Sequence, residues 1–278
     1  MSHHNNSKLK TQNSKLLHVT SRDNSLLRRA RAVRDGKASE SIFIEGLRLC
    51  AEALRSGVAI EAVIYSEQLA KKGRASDLIH QLQSVAVKAA AVSEKMLESI
   101  SYTKTPQGVV VLAPRPAIQA EEFSQRQGEN PLVVILHHLN NPVNVGAILR
   151  TAEAAGVTGV ITTLGTADPF SPKALRGAMG ASFRLPTRYA VDYRNAIEWS
   201  RDHKLQIAAT DLHATRSFTE IDFSLPTAIV MGSESEGLSA EEIALSDIAV
   251  KIPMKGSTES LNVAVAAGIL LYEAARQR

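Results

Sequence analysis

"PLVVILHHLNNPVNVGAILRTAEAAG", residues 131–156, changes its period half-way along. The first nine residues form an almost unbroken apolar run, which predicts a strand buried on both faces, as in a parallel sheet covered by helices. Asn140, Asn141 and Asn144 then mark a turn. Pro142 falls where the first turn of a helix needs no amide hydrogen. Beyond it, Val145, Ile148, Leu149, Ala152 and Ala155 follow the spacing of one buried helix face, and Gly156 supplies the stop. A strand that runs straight into a helix is the repeating unit of α/β folds. Gly146 lets the helix backbone come close to something. Arg150 lies well round the helix from the apolar face. A solvated arginine on a capped helix and a helix that aims Arg150 into a site both satisfy this pattern.

The same texture continues downstream. The runs "VTGVITTL" (157–164), "LQIAATDL" (205–212), "TAIVMGS" (227–233) and "DIAVKIPM" (247–254) read as further buried strands separated by helices. Upstream, "APRPAIQAEEFSQRQGENP" (113–131) has three prolines and no sustained period, and reads as a linker. Before it comes a smaller αβ pattern. A helix is expected around 24–35, strands at "SIFIEG" and "EAVIYS", helices at "LRLCAEALRSG" and near 75–83, then strands at "VAVKAAAV" and "GVVVLA".

The chain has 278 residues, 44% of them hydrophobic and 22% charged, as in an ordinary globular protein of two domains. Its single cysteine, Cys50, excludes an internal disulfide framework and suits a reducing cytosol. The longest apolar run, Val263 to Leu271, is too short to span a bilayer. The N-terminal stretch lacks the apolar core of a signal peptide and reads as a polar, disordered tail. Charge is uneven. Residues 1–118 hold 18 Lys and Arg against 10 Asp and Glu, a net +8, and residues 119–278 hold 14 against 18, a net −4. The basic half is expected to meet a polyanion.

Three loops follow apolar strands at the ends where open α/β sheets bind ligands. The first is the turn at residues 140–146. The second, "GSESEG" (232–237), has the spacing of a phosphate loop without its lysine. The third, "IPMKGSTESLNVAVAAGILLYEAAR" (252–276), passes through Asn262 into a helix apolar on nearly every side, which must be buried in a core or against another subunit. No strand is followed by G-x-G-x-x-G, which argues against a Rossmann-type dehydrogenase. None of the eight histidines has metal-ligand spacing, and His137–His138 reads as structural. Lys173 and Arg176 could approach a phosphate backbone or form a solvated face. On "SLLRRARAVR", Arg28, Arg29, Arg31 and Arg34 surround an apolar stripe, and phosphate contact is the better reading there.

Taken together, the three loops resemble the SpoU (TrmH-type) branch of the SPOUT RNA methyltransferases. Asn144, Gly146 and Arg150 match the family's first motif, Gly232 to Gly237 its second, and Ile252 to Met254 with Ser260 to Ala266 its third. The first half resembles, more weakly, an L30e-like substrate-binding domain. The resemblance implies an α/β architecture with a parallel sheet and a C-terminal trefoil knot, and a smaller N-terminal α/β domain. The expected divisions are a disordered tail at 1–20, the substrate-binding domain at 21–115, a linker at 116–130 and the methyltransferase domain at 131–278.

By the same resemblance, methyl would pass from S-adenosylmethionine to a ribose 2′-hydroxyl of rRNA, with 23S rRNA the favoured target and tRNA the alternative. A non-catalytic RNA-binding protein of the same fold is a further rival. Arg150 would act with Asn144, Glu234 and Asn262, held in place by the last two. Gly232, Ile252 and Leu261 would contact the cofactor, and Leu212, Met231 and Met254 would line its pocket. RNA would be met by Arg28, Arg29, Arg31, Arg34, Lys173 and Arg176. No metal is implied, and the enzyme would be a cytoplasmic homodimer without a membrane partner.

Overall fold

The computed structural model describes residues 16–71, 73–116, 123 and 130–278. These fall into two compact units that divide between Arg115 and Pro116. Most of the expected linker lies outside the described residues, as do positions 1–15 of the expected tail.

The N-terminal unit is a five-stranded sheet with helices. β1 (Leu16–His18) lies within the segment expected to be a disordered tail, and is a correction to that reading. It pairs in parallel with β4 (Lys88–Val92), Leu17 opposite Ala90, because β4 would otherwise present an open edge. β3 (Ala62–Ser66) continues the parallel set, and β5 (Val109–Pro114) runs antiparallel between β3 and β2 (Ser41–Glu45). Helix α1 (Ser25–Arg34) is capped by Asn24, whose side chain accepts from the Leu26 amide at 2.9 Å. Its buried stripe of Leu26, Leu27, Ala30 and Val33 packs with Phe43, Ile64 and Leu112. Helices α2 (Leu47–Arg55), α3 (Gly73–Val85) and α4 (Glu94–Ile100) complete the unit, and α4 was not expected from the sequence.

The C-terminal unit is the parallel α/β domain that the apolar runs predict. Its strands are β6 (Leu132–Leu136), β7 (Gly159–Thr163), β8 (Thr187–Val191), β9 (Gln206–Thr210), β10 (Arg216–Ser217), β11 (Thr227–Met231) and β12 (Ile248–Lys251). They lie in the order β10-β12-β9-β11-β6-β7-β8, and every pairing is parallel.

The two-sided burial is visible along β6. Leu132, Val134 and Leu136 enter the core beneath α5 (Pro142–Ala154) and α10 (Val263–Gln277). Val133 and Ile135 face the opposite core, with Ile197 of α8 (Tyr193–Asp202). Burying each such side chain contributes roughly 1.5–3 kcal/mol. Phe123 belongs to that second core, lying over Gly159 and edge-on to Trp199 at 5.4 Å.

On one side of the sheet, Gly146 of α5 lies against α6 (Pro172–Ala178). A Cβ at Gly146 would fall 2.3 Å from the Ala174 carbonyl oxygen. The close approach that this glycine allows is therefore helix on helix. The short helices α7 (Ala181–Arg184) and α9 (Ala240–Ile243) follow α6 and the 232–238 loop. Helix α10 is the element expected to be buried in a core or against another subunit. It buries one face, through Ala267, Leu270, Leu271 and Ala274, and leaves Val265 and Tyr272 more than half exposed.

Candidate active site

Each of the three loops is built from local chemistry. Asn141 caps α5 by accepting from the Val143 amide at 2.9 Å, with Pro142 in the first turn. Asn262 caps α10 in the same way, accepting from the Ala264 amide at 2.9 Å. The glycine loop closes on itself, since the amides of Ser233 and Gly237 each donate to the other's carbonyl at 3.1 Å. Gly232 is required there. A Cβ would stand 2.5 Å from the Gly237 carbonyl carbon and 2.7 Å from the Leu238 nitrogen.

Glu234 ties the loops together. One oxygen accepts from the Asn140 amide at 3.1 Å, and the other from the Asn141 amide and the Asn144 side chain, both at 3.2 Å. Asn144 in turn accepts from the Asn262 side chain at 3.2 Å. Burial works against the charge on Glu234, but the hydrogen bonds from Asn144 and the loop amides outweigh it and hold the carboxyl below the usual carboxylate range. An ionised carboxylate so occupied is a clamp, not a proton acceptor. Both Glu234 and Asn262 therefore meet Asn144, and not Arg150 as expected. Arg150 is exposed on α5 and, among the described residues, makes no hydrogen bond or ion pair.

Beside this chain lies a cleft of about 450 Å³ at the carboxyl ends of β9, β11 and β12, closed by the start of α10. All six residues assigned to the cofactor from the sequence line it: Leu212, Met231, Gly232, Ile252, Met254 and Leu261. Glu234 lines it too. Apolar walls and exposed loop backbone suit an uncharged ring. Among the described residues no three His, Cys, Asp or Glu side chains converge as a metal-ligand set.

The residues assigned to RNA separate into two kinds. Three of the α1 arginines are engaged within the domain. Arg29 meets Glu61 at 2.6 Å and Ser41, Arg31 reaches the carbonyls of Leu27 and Arg22, and Arg34 reaches Asp35 and the carbonyls of Ser99 and Ser101. Arg28, Lys173 and Arg176 are exposed and, among the described residues, unpaired. Arg184 pairs with Glu153.

A parallel sheet with a ligand cleft at its strand ends, and no Rossmann glycine fingerprint, defines an α/β cofactor-binding domain of another kind. The chain belongs to the SpoU rRNA Methylase family, whose model matches residues 131–272, and residues 26–111 match an MRM3-like substrate binding domain. It is 34% identical to an uncharacterized tRNA/rRNA methyltransferase of Synechocystis sp., over 95% of this chain and 96% of that one. It is 30% identical to the 23S rRNA (uridine(2479)-2′-O)-methyltransferase of Streptomyces viridochromogenes, over 85% of this chain and 83% of the other. Among solved structures, the AdoMet-bound rRNA methyltransferase of Sinorhizobium meliloti superposes with a TM-score of 0.81 at 31% identity, covering 94% of this chain and 98% of that one.

Proposed function

We propose that this protein transfers the methyl group of S-adenosylmethionine to a ribose 2′-hydroxyl of rRNA, with 23S rRNA the favoured substrate. The observation that carries the reading is the single cleft that gathers Leu212, Met231, Gly232, Ile252, Met254 and Leu261 beside the Glu234–Asn144–Asn262 chain. When bound, the cofactor supplies a sulfonium methyl already activated for transfer. The protein's part is to hold the hydroxyl in line with it and to stabilise the charge that develops.

Arg150 suits that part as an unpaired planar fork that can hold a phosphate and the hydroxyl together. A guanidinium is a poor base, so its role is a clamp. The rRNA assignment is supported by the family match, by the substrate-binding domain and by the relative named for 23S rRNA. Of the cations assigned to RNA from the sequence, Arg28, Lys173 and Arg176 are free among the described residues to meet phosphate.

The same reading includes the trefoil-knotted path and a cytoplasmic homodimer. The exposed apolar side chains Val143, Val265 and Tyr272 on α5 and α10 favour the dimer. The test is methyl transfer from labelled S-adenosylmethionine to deproteinised 23S rRNA and to bulk tRNA. Label in 23S rRNA at a single alkali-resistant ribose is the expected result. Label in tRNA alone selects the alternative substrate. No transfer to either, with cofactor still bound, points to the non-catalytic RNA-binding protein.

A further inference from the structure

We propose that His137 is a positioning residue that holds both ends of the 232–238 loop and so fixes the wall of the cofactor cleft; this rests on the function proposed above. His137 stands at the end of β6 and is 3% exposed. Its backbone amide donates to the Met231 carbonyl at 2.9 Å, where the glycine loop begins. Its ring Nε2 meets Glu242 Oε1 at 2.9 Å, in the short helix α9 where the loop ends. The other oxygen of Glu242 accepts from the Ser239 amide at 2.7 Å, while Ser239 Oγ accepts from the Glu242 amide at 3.3 Å. One residue thus grips the chain immediately before Gly232 and, through one carboxylate, immediately after Leu238.

The ring is itself immobilised. It stacks on His138 at 4.0 Å between centroids and leans on Tyr193 at 4.3 Å, whose hydroxyl donates to the Glu242 carbonyl at 3.2 Å. Hydrogen-bond chemistry fixes the direction of the link. Glu242 is held ionised, because the bonds from Ser239 and His137 outweigh its burial, so Nε2 must be the donor. Nδ1 faces Thr163 Oγ1 at 2.8 Å, and that hydroxyl can also turn to the Leu164 carbonyl at 3.3 Å. The hydroxyl donates to a neutral ring and accepts from a charged one. The bond from Nε2 to Glu242 therefore persists whichever state Nδ1 is in.

Within the loop, Glu234 is turned toward Asn140 and Asn144, and Ser235 and Glu236 are exposed. The far end of the loop is therefore held by Leu238 in the second core and, beyond it, by the link from the His137 ring to Glu242. Met231, Gly232, Gly237 and Leu238 all line the cleft, so the position of that end is part of the cofactor's wall.

The experiment compares His137→Leu, which keeps bulk but removes the ring donor, with His137→Gln, whose amide nitrogen can reach Glu242. Amide hydrogen exchange on the ligand-free full chain and calorimetric binding of S-adenosylmethionine are both measured. In His137→Leu, the amides of Ser233, Gly237, Ser239 and Glu242 should exchange at least tenfold faster while those of β9 and β11 keep wild-type rates. Cofactor affinity should fall about tenfold. Gln should restore both. Unchanged loop exchange, or equal acceleration throughout the sheet, overturns the proposal. If the Leu variant does not fold, His137→Phe removes the same donor while keeping a ring against Tyr193, and the same exchange pattern decides. Failure of the wild type to bind S-adenosylmethionine would sink the proposed function, while the exchange pattern would still judge His137.

Discussion

Arg150 and Gly232 are both expected to be essential, for reasons that separate in the assay. Arg150→Ala should lower methyl transfer by at least a hundredfold and leave calorimetric S-adenosylmethionine affinity within about twofold, because the side chain lies outside the cleft. Arg150→Lys should rescue little, since a point charge cannot replace a planar fork. Wild-type turnover in either would remove Arg150 from the mechanism. Gly232→Ala should instead lose cofactor binding. Its added carbon would collide with the Gly237 carbonyl carbon at 2.5 Å and force the loop open, so the damage comes from the loop's own backbone and not from space taken from the ligand. The residue types at these positions were legible, since asparagines and glycines after apolar strands have few other uses. Their partners were not. That Glu234 reaches back to Asn140 and Asn144, and that Asn262 meets Asn144, depends on how strands 90 residues and more apart come to lie together.

Helix α5 carries its own prediction. Gly146→Ala would place a methyl 2.3 Å from the Ala174 carbonyl and push α5 off α6. Such overpacking costs about 1–3 kcal/mol, and a thermal melt should show it as a lowered midpoint. At the end of β6, burial lowers the His137 pKa while hydrogen bonding to Glu242 opposes the shift. The folded state therefore prefers a neutral ring. The resulting stability is complete above the ordinary histidine value of about 6.5 and is lost as pH falls below it. Denaturant titrations between pH 7 and 5 should show a slope that His137→Gln flattens. For α10, charging its exposed apolar positions with Val265→Asp and Tyr272→Asp together should convert a dimer to a monomer in sedimentation. An unchanged mass would place the interface elsewhere.

Element reading succeeded where apolar runs are continuous, as in β6, β7 and β11, because burial on both faces favours apolar side chains, with Thr162, Thr163 and Thr227 the buried polar residues at the strand ends. It missed β8, whose "TRYAV" is half exposed at the sheet edge, and β1, which exists only because β4 needs a neighbour. It left open what covers the second apolar face of α10, since composition cannot say whether that face is covered by the same chain.

At the scale of the whole molecule, the net +8 of residues 1–118 was plain in the sequence, but how its arginines are used was not. Arg29, Arg31 and Arg34 brace the N-terminal unit, so replacing all four α1 arginines by Gln should change the salt dependence of RNA binding little more than Arg28→Gln alone. That single change is expected to reduce the slope by roughly 0.7–0.9 log units, one phosphate's worth, and Lys173→Gln with Arg176→Gln by up to twice that. A change of about four phosphates in the quadruple variant would show the braced arginines also meeting RNA. The C-terminal unit has its own two-faced core, so a fragment beginning near Pro116 should bind cofactor and hold structured RNA weakly.

The chain order of that unit bears on its synthesis. Asn144 is made early and Asn262 118 residues later, and the cleft needs Val263, Ala266 and Leu270 of α10 for its last wall. A nascent chain that has completed β6 and α5 therefore has half a site and no pocket. The contact between Asn144 and Asn262 and the last wall of the cleft form together, only when α10 packs beside α5.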